Sequence, residues 1–313
     1  MATSESTEGL LSQLTVQSAG EREWTAACLS GRSGRVFGGQ MLAQGLMAAA
    51  ADLNPAGPGR THSLHAQFLR AALPTTEIRY CTTPLRRSTR FATTRVDLTQ
   101  AADMVATLSV SAHRGEVTPS HSANPPTVVG SPEGAPLASG SPIPSVDSPI
   151  RRPFDLRAAR LQGIQGSDGR PQVGWWVRLR EPLPNAVANA AALAWASDFA
   201  LTHVADVEHE HLPGERQAAS LDHAMWFHRL VDLSRWHLYV LTSPVYQRGL
   251  ALSSGQFYNL DGLLVATVVQ ESLLRRVTRD EPTAITASGQ LTPLQPTDSL
   301  VVPYDADRIS HAP

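Results

Sequence analysis

The chain has 313 residues, 42% hydrophobic and 17% charged, with a formal net charge of −2, which fits a soluble globular protein of one large domain or two medium ones. That charge leaves no footprint for nucleic acid or an anionic membrane surface. All 26 basic residues are Arg, which excludes a catalytic lysine, a Schiff base and a P-loop. Cys28 and Cys81, the only cysteines, cannot hold zinc by themselves and suit a reducing compartment.

No apolar run reaches the roughly 20 residues that span a bilayer. Met1–Leu10 lacks the basic start and apolar run of a secretory leader, and Ser310-His311-Ala312-Pro313 is no peroxisomal address. The expected location is the cytoplasm.

In chain order, residues 1–20 predict a short amphipathic helix through Leu10, Leu11 and Leu14. Residues 22–37 predict a strand pair turning at Gly31-Arg32-Ser33-Gly34. Gly38-Gly39-Gln40 then opens a run to Leu53 that is apolar nearly all round, so this helix must be buried on most sides. Asn54–Gly59 ends it. Four strands follow, at Leu64–Arg70, Glu77–Thr83, Arg90–Leu98 and Met104–Ala112. Gly115–Arg152, crowded with Pro, Gly and Ser, reads as a linker that is mobile in its middle.

The order then restarts. Gly174–Arg180 predicts a strand and Asn185 to about Val204 a second Ala-rich helix. Further strands are expected near Ser220–Arg229, Trp236–Leu241, Ala251–Asn259 and Leu263–Leu273, with a polar tail after Arg279. Phe68-Leu69-Arg70 matches Phe227-His228-Arg229, and Val105-Ala106-Thr107 matches Val265-Ala266-Thr267. The Phe-to-Val spacing is 37 residues in one half and 38 in the other, which suggests a duplicated helix-plus-sheet unit. The domain boundaries expected are 1–114, a linker at 115–152, 153–279, and a tail at 280–313.

Several chemistries are discounted. Gly166-Ser167-Asp168-Gly169 lacks the first glycine of a nucleophile elbow, and no strand is followed by GxGxxG. His203, Asp206, His209 and His211 resemble a metal cluster in name but fall on a loop, so no metal is expected. The run Ala219–Arg229 concentrates a hydroxyl, a carboxylate and two imidazoles among large apolar side chains. Buried polar groups need partners, so this run is the natural centre of a site.

With Gly34–Gln40, His62–Arg70, Leu193–Asp198, Ala219–Arg229 and Val265–Glu271 in this order, the chain resembles the acyl-CoA thioesterase II family. That resemblance implies an α+β double hotdog, two helix-wrapped antiparallel sheet units in one chain. It implies hydrolysis of fatty acyl-CoA, with no cofactor or metal, by a water held and activated by a hydrogen-bonded Asp, Ser/Thr and Gln. Carried over by motif, these are Asp198, Ser220 and Gln270, with Asp222 the second choice for the carboxylate. Gly38, Gly39, Gln40, His65, Asp222, Trp226 and Tyr246 are the substrate-binding set. Among them, the backbone at Gly38 and Gly39, with the Gln40 side chain, is the expected oxyanion donor.

The long linker, the segment Leu241–Tyr246 and the tail depart from the family pattern and bear on substrate preference. His223 reads as a packed or hydrogen-bonded core histidine. The chemistry is reasonable: a thioester asks for a positioned water rather than a strong nucleophile, and a carboxylate on a buried helix can accept its proton. A non-catalytic acyl-CoA-binding double hotdog is the alternative. A hydratase of the same fold fits less well, because Asp198 has no histidine at helical neighbour spacing. Association through sheet edges makes a homo-oligomer the expected state.

Overall fold

The computed structural model describes residues 9–29, 34–53, 59–139, 145–163, 169, 171–209 and 214–277. Among them lie four helices and fourteen strands. In the first half these are α1 (Leu10–Leu14), β1 (Gln17–Gly20), β2 (Glu23–Ala26), α2 (Gly38–Leu53), β3 (Arg60–Phe68), β4 (Ile78–Arg87), β5 (Phe91–Gln100) and β6 (Asp103–His113). The connecting stretch contributes β7 (Val128–Val129). The second half holds β8 (Phe154–Leu161), β9 (Gln172–Leu179), α3 (Ala186–Ser197), α4 (Leu201–Val204), β10 (Glu215–Ser220), β11 (Asp222–Phe227), β12 (His237–Gln247), β13 (Leu250–Asn259) and β14 (Leu264–Val277).

The strands form one path, β1-β2-β4-β5-β6-β3-β11-β14-β13-β12-β9-β8-β7, with β10 also paired to β14. The two halves therefore join edge to edge at β3 and β11. α2 packs on β3 to β6 and against α3, and both helices enter one apolar core with residues from both halves of the sheet. This is the double hotdog expected of the sequence. Along β11 buried and partly exposed residues alternate, so His223, Met225 and Phe227 face the core while Asp222, Ala224 and Trp226 face the other way.

The β3–β11 ladder is self-complementary. Gln67 pairs with Asp222 at one end, Ser63 with Trp226 at the other, and His65 with Ala224 in the middle. A pseudo-two-fold axis through His65–Ala224 thus exchanges the halves. The repeated tripeptides are its landmarks: Phe68 pairs with Ala106 as Phe227 pairs with Ala266. The Leu69 and Arg70 amides donate to the Val105 carbonyl as those of His228 and Arg229 donate to Val265.

Four expectations need correction. The first hairpin turns at Glu21-Arg22 rather than at Gly31–Gly34, with Arg22 at φ 57°, and residues 30–33 lie outside the described residues. The second Ala-rich helix does not run to Val204. It ends at Ser197, and Ala200, at φ 65°, breaks it before α4. The 115–152 stretch is docked in part: Val128–Val129 pairs with β8, the Ala138 amide donates to Leu156, and buried Ile150 accepts from the Trp195 indole at 3.0 Å. Its middle, 140–144, and the tail from 278 onward lie outside the described residues. β8 itself was not foreseen.

Candidate active site

α2 begins against the end of α3. The Gly39 amide, in the first turn of α2, donates to Asp198 Oδ2 at 2.8 Å. Two glycines permit this approach. A Cβ on Gly38 would sit 2.8 Å from Asp198 Oδ2 and 3.3 Å from the Phe68 ring, and one on Gly39 would strike the Trp195 carbonyl and the Phe37 ring. Asp198 caps α3 in the αR region and is partly buried, with its charge at the positive end of a 16-residue helix. Burial pushes its carboxyl up to about 7, and the Gly39 hydrogen bond pulls the other way. A carboxyl poised there can take a proton near neutral pH.

From the residue before Asp198 a chain of hydrogen bonds crosses to the sheet. Ser197 Oγ lies 2.9 Å from His223 Nε2, and His223 Nδ1 lies 2.7 Å from Gln270 Oε1. Gln270 Nε2 donates to Ser220 Oγ at 3.0 Å and to Ser272 Oγ at 3.2 Å. Ser197, His223, Gln270 and Ser272 are fully buried. Burial drives the His223 pKa down to about 4 against the Gln270 hydrogen bond, so the ring is neutral at pH 7. The Tyr239 hydroxyl pins the end of α3 by donating to the Ser197 carbonyl at 2.6 Å, and burial, with the nearby Asp198 charge, raises its pKa well above 10.0.

The sheet geometry places these groups. β10 ends at Ser220, paired with Ser272, and the chain is offset at Leu221 before β11 begins. His223 lies opposite Gln270, one step along the ladder from the Ala224–Val269 pair. Ser253 faces Gln270 from the other neighbouring strand and adds another buried hydroxyl.

Of the residues singled out from sequence, Gly38, Gly39 and Asp198 come together, and Ser220 and Gln270 are bonded to one another and linked to Ser197 through His223. The others do not join them. Gln40 is buried, but its amide accepts from the Leu29 amide and donates to the Ala27 carbonyl, each at 3.0 Å, so it holds the loop before α2. The oxyanion role expected of the Gly39 amide meets competition too, because that donor already serves Asp198. His65 and Trp226 pack edge to face, centroids 5.2 Å apart, on the sheet face away from His223. Asp222 Oδ1 accepts from the Glu271 amide at 2.7 Å and fixes the β-strand offset beside Gln270. Tyr246 donates to the Leu274 carbonyl at 3.1 Å and lines a separate pocket of about 240 Å³ with Ala205, His209 and Ser243.

Sequence reasoning missed Ser197 and Ser272, and it read His223, within the run taken as the centre of the site, as a packed or hydrogen-bonded core histidine, which is how it sits, without the link it makes from Ser197 to Gln270. Position on the buried face of β11 is the signal that singles out His223. Asp206, once grouped with His203, His209 and His211, is paired with Arg276 at 2.7 Å, and His211 lies outside the described residues. Among the described residues no group of three His, Cys, Asp or Glu side chains could hold a metal, and no helix is long and apolar enough to cross a membrane.

Two family models match the chain: acyl-CoA thioesterase over residues 148–273, and acyl-CoA thioesterase N-terminal domain over residues 29–113. Acyl-CoA thioesterase 2 of Haemophilus influenzae is 31% identical over 255 residues, 77% of this chain and 88% of that protein. Human acyl-coenzyme A thioesterase 8 is 27% identical, over 77% of this chain and 81% of its own. Among solved structures, acyl-CoA thioesterase II TesB2 from Mycobacterium marinum superposes with a TM-score of 0.75 at 28% identity, covering 86% of this chain and 99% of that one. The tesB protein of Mycobacterium avium subsp. paratuberculosis gives 0.72 at 25% identity, covering 85% and 98%.

Proposed function

Because this chain belongs to the acyl-CoA thioesterase II family and is a thioester hydrolase, we propose that it hydrolyses fatty acyl-CoA to fatty acid and CoA by direct attack of water at the site of Asp198, Ser220 and Gln270. The observation that carries this reading is the carboxylate at the N-terminus of α2, its pKa raised to about 7, next to the hydrogen-bonded chain that ends at Ser220.

In this reading Asp198 removes a proton as the water oxygen bonds to the carbonyl carbon, help worth about 10²–10⁴-fold. Ser220 accepts from Gln270, so its own proton is left to hold the water or the substrate. The oxyanion forms near the start of α2, where Gly38 N–H and the helix dipole favour negative charge. The C–S bond then breaks, and the proton held by Asp198 passes to the CoA sulfur.

Ser197 beside His223 offers a serine–imidazole pair, which would suit an acyl-enzyme route. Ser197 is fully buried in the last turn of α3 with its hydroxyl 2.8 Å from the Ala194 carbonyl, which disfavours it as a nucleophile. The test is thiol release from acyl-CoAs of increasing chain length, with intact-mass analysis of acid-quenched enzyme. Release without any acyl adduct supports direct attack. Adduct on Ser197 would replace it, and binding without release would make the protein a non-catalytic acyl-CoA binder.

A further inference from the structure

We propose that His223 is a positioning residue of this site: its Nδ1–H holds the Gln270 amide so that Nε2 faces Ser220 and the Ser220 proton is left for the substrate side. The inference rests on the hydrolytic reading above.

A glutamine amide is nearly symmetric in shape, so its partners decide which way it faces. Ser220 and Ser272 can each donate or accept, and neither imposes a direction. With Gln270 Oε1 2.7 Å from His223 Nδ1, the proposed arrangement puts the proton on Nδ1, because Oε1 only accepts. The ring is neutral, so in this arrangement Nε2 accepts, and the Ser197 hydroxyl 2.9 Å away gives its proton to Nε2 rather than to the Ala194 carbonyl. The imidazole thus ties the turn carrying Asp198 to the strand carrying Gln270. Packing alone does not demand this pair. At the pseudo-equivalent place in the other half, Leu64 lies opposite Val110, both fully buried and apolar.

The test compares wild type, His223→Leu and His223→Asn in steady-state hydrolysis, with ¹⁵N NMR of the His223 ring at pH 7 assigned by its absence from the variants. Asn can restore a donor near the place of Nδ1. Positioning through Gln270 predicts kcat about 10–100-fold lower in His223→Leu with KM within about threefold, and recovery to within about fivefold in His223→Asn. It also predicts the Nδ1–H tautomer. A folded His223→Leu with wild-type kcat overturns the proposal, as does a folded Asn variant no better than Leu, or an Nε2–H tautomer, which would turn the amide over. Should His223→Leu not fold, the Asn variant and the tautomer decide. Absence of turnover in wild type would refute the hydrolytic reading separately, and the tautomer would still judge the placement of the amide.

Discussion

Where the C-terminal half sets His223 opposite Gln270, the N-terminal half sets Leu64 opposite Val110. Thr61, paired with Ala112, stands where Ser220 pairs with Ser272. Both halves shift register by one residue here, between Thr61 and Ser63 in the N-terminal half and at Leu221 in the C-terminal half, where Asp222 holds the offset. The same backbone therefore encloses an apolar contact in one place and a polar chain in the other. The apolar version shows that the fold holds without polar groups there, and the proposed hydrolysis gives the polar version a use. Buried polar groups cost stability unless fully bonded, and all three hydrogen-bonding atoms at His223 Nδ1 and the Gln270 amide have partners.

The comparison can be broken by moving one half's residues into the other. Gln270→Val copies Val110 and leaves Ser220 and His223 without their common partner. We expect kcat to fall about 10²–10³-fold, with the thermal transition within a few degrees of wild type, read by thiol release and calorimetry. A next effect concerns pH. Asp198 works as a base only when ionised, so kcat should rise through about pH 7 to a plateau, and this limb should vanish in Asp198→Asn.

The same shift predicts a stability change. The folded pKa of Asp198 lies above its unfolded value of 3.8, so the folded state holds the proton more tightly. Ionisation then costs stability as pH rises from about 4 through 7. Asp198→Asn should therefore stabilise the fold by about 1–3 kcal/mol above pH 7, and by much less near pH 4, in denaturant titrations at both values. In the reverse transplant, Val110→Gln buries an amide whose opposite neighbour is Leu64. It should lower stability by about 1–3 kcal/mol without changing kcat. The smallest effect expected is for Ser220→Thr, which copies Thr61, keeps the hydroxyl and should hold kcat within about fivefold, whereas Ser220→Ala should lose about 10–100-fold.

Much of this architecture is legible in the sequence because two periodicities dominate it. α2 is buried nearly all round, as an apolar run without a polar face requires, and the strands of both halves alternate. The exceptions have local causes. β8 buries its first three residues in a row and carries two arginines, so it shows no alternation to read. Ala200 separates α4 from α3 by turning the chain through the left-handed region at a cost of about 1 kcal/mol, and an alanine in an Ala-rich run gives no stop signal. Arg22 similarly makes a turn without glycine.

The site was legible only in part. Asp198, Ser220 and Gln270 follow from motif resemblance, while the link through Ser197 and His223 needs the helix end and the sheet in one frame. Alternation does separate His223 from its neighbours. Asp222 and Trp226 share the motif with it but point to the opposite face, and His65, across from Ala224, lies with them. A motif lists neighbours in sequence, whereas a pleated strand sends every second one away from the site.

The most direct test of the central claim is the rate of CoA thiol release by Asp198→Asn beside wild type, at saturating acyl-CoA and pH 8, with circular dichroism to verify the fold. A loss of about 10²–10⁴-fold in kcat by a fully folded variant is the predicted result. A kcat within threefold of wild type would contradict the account and leave the polar chain in the C-terminal half without a base to serve.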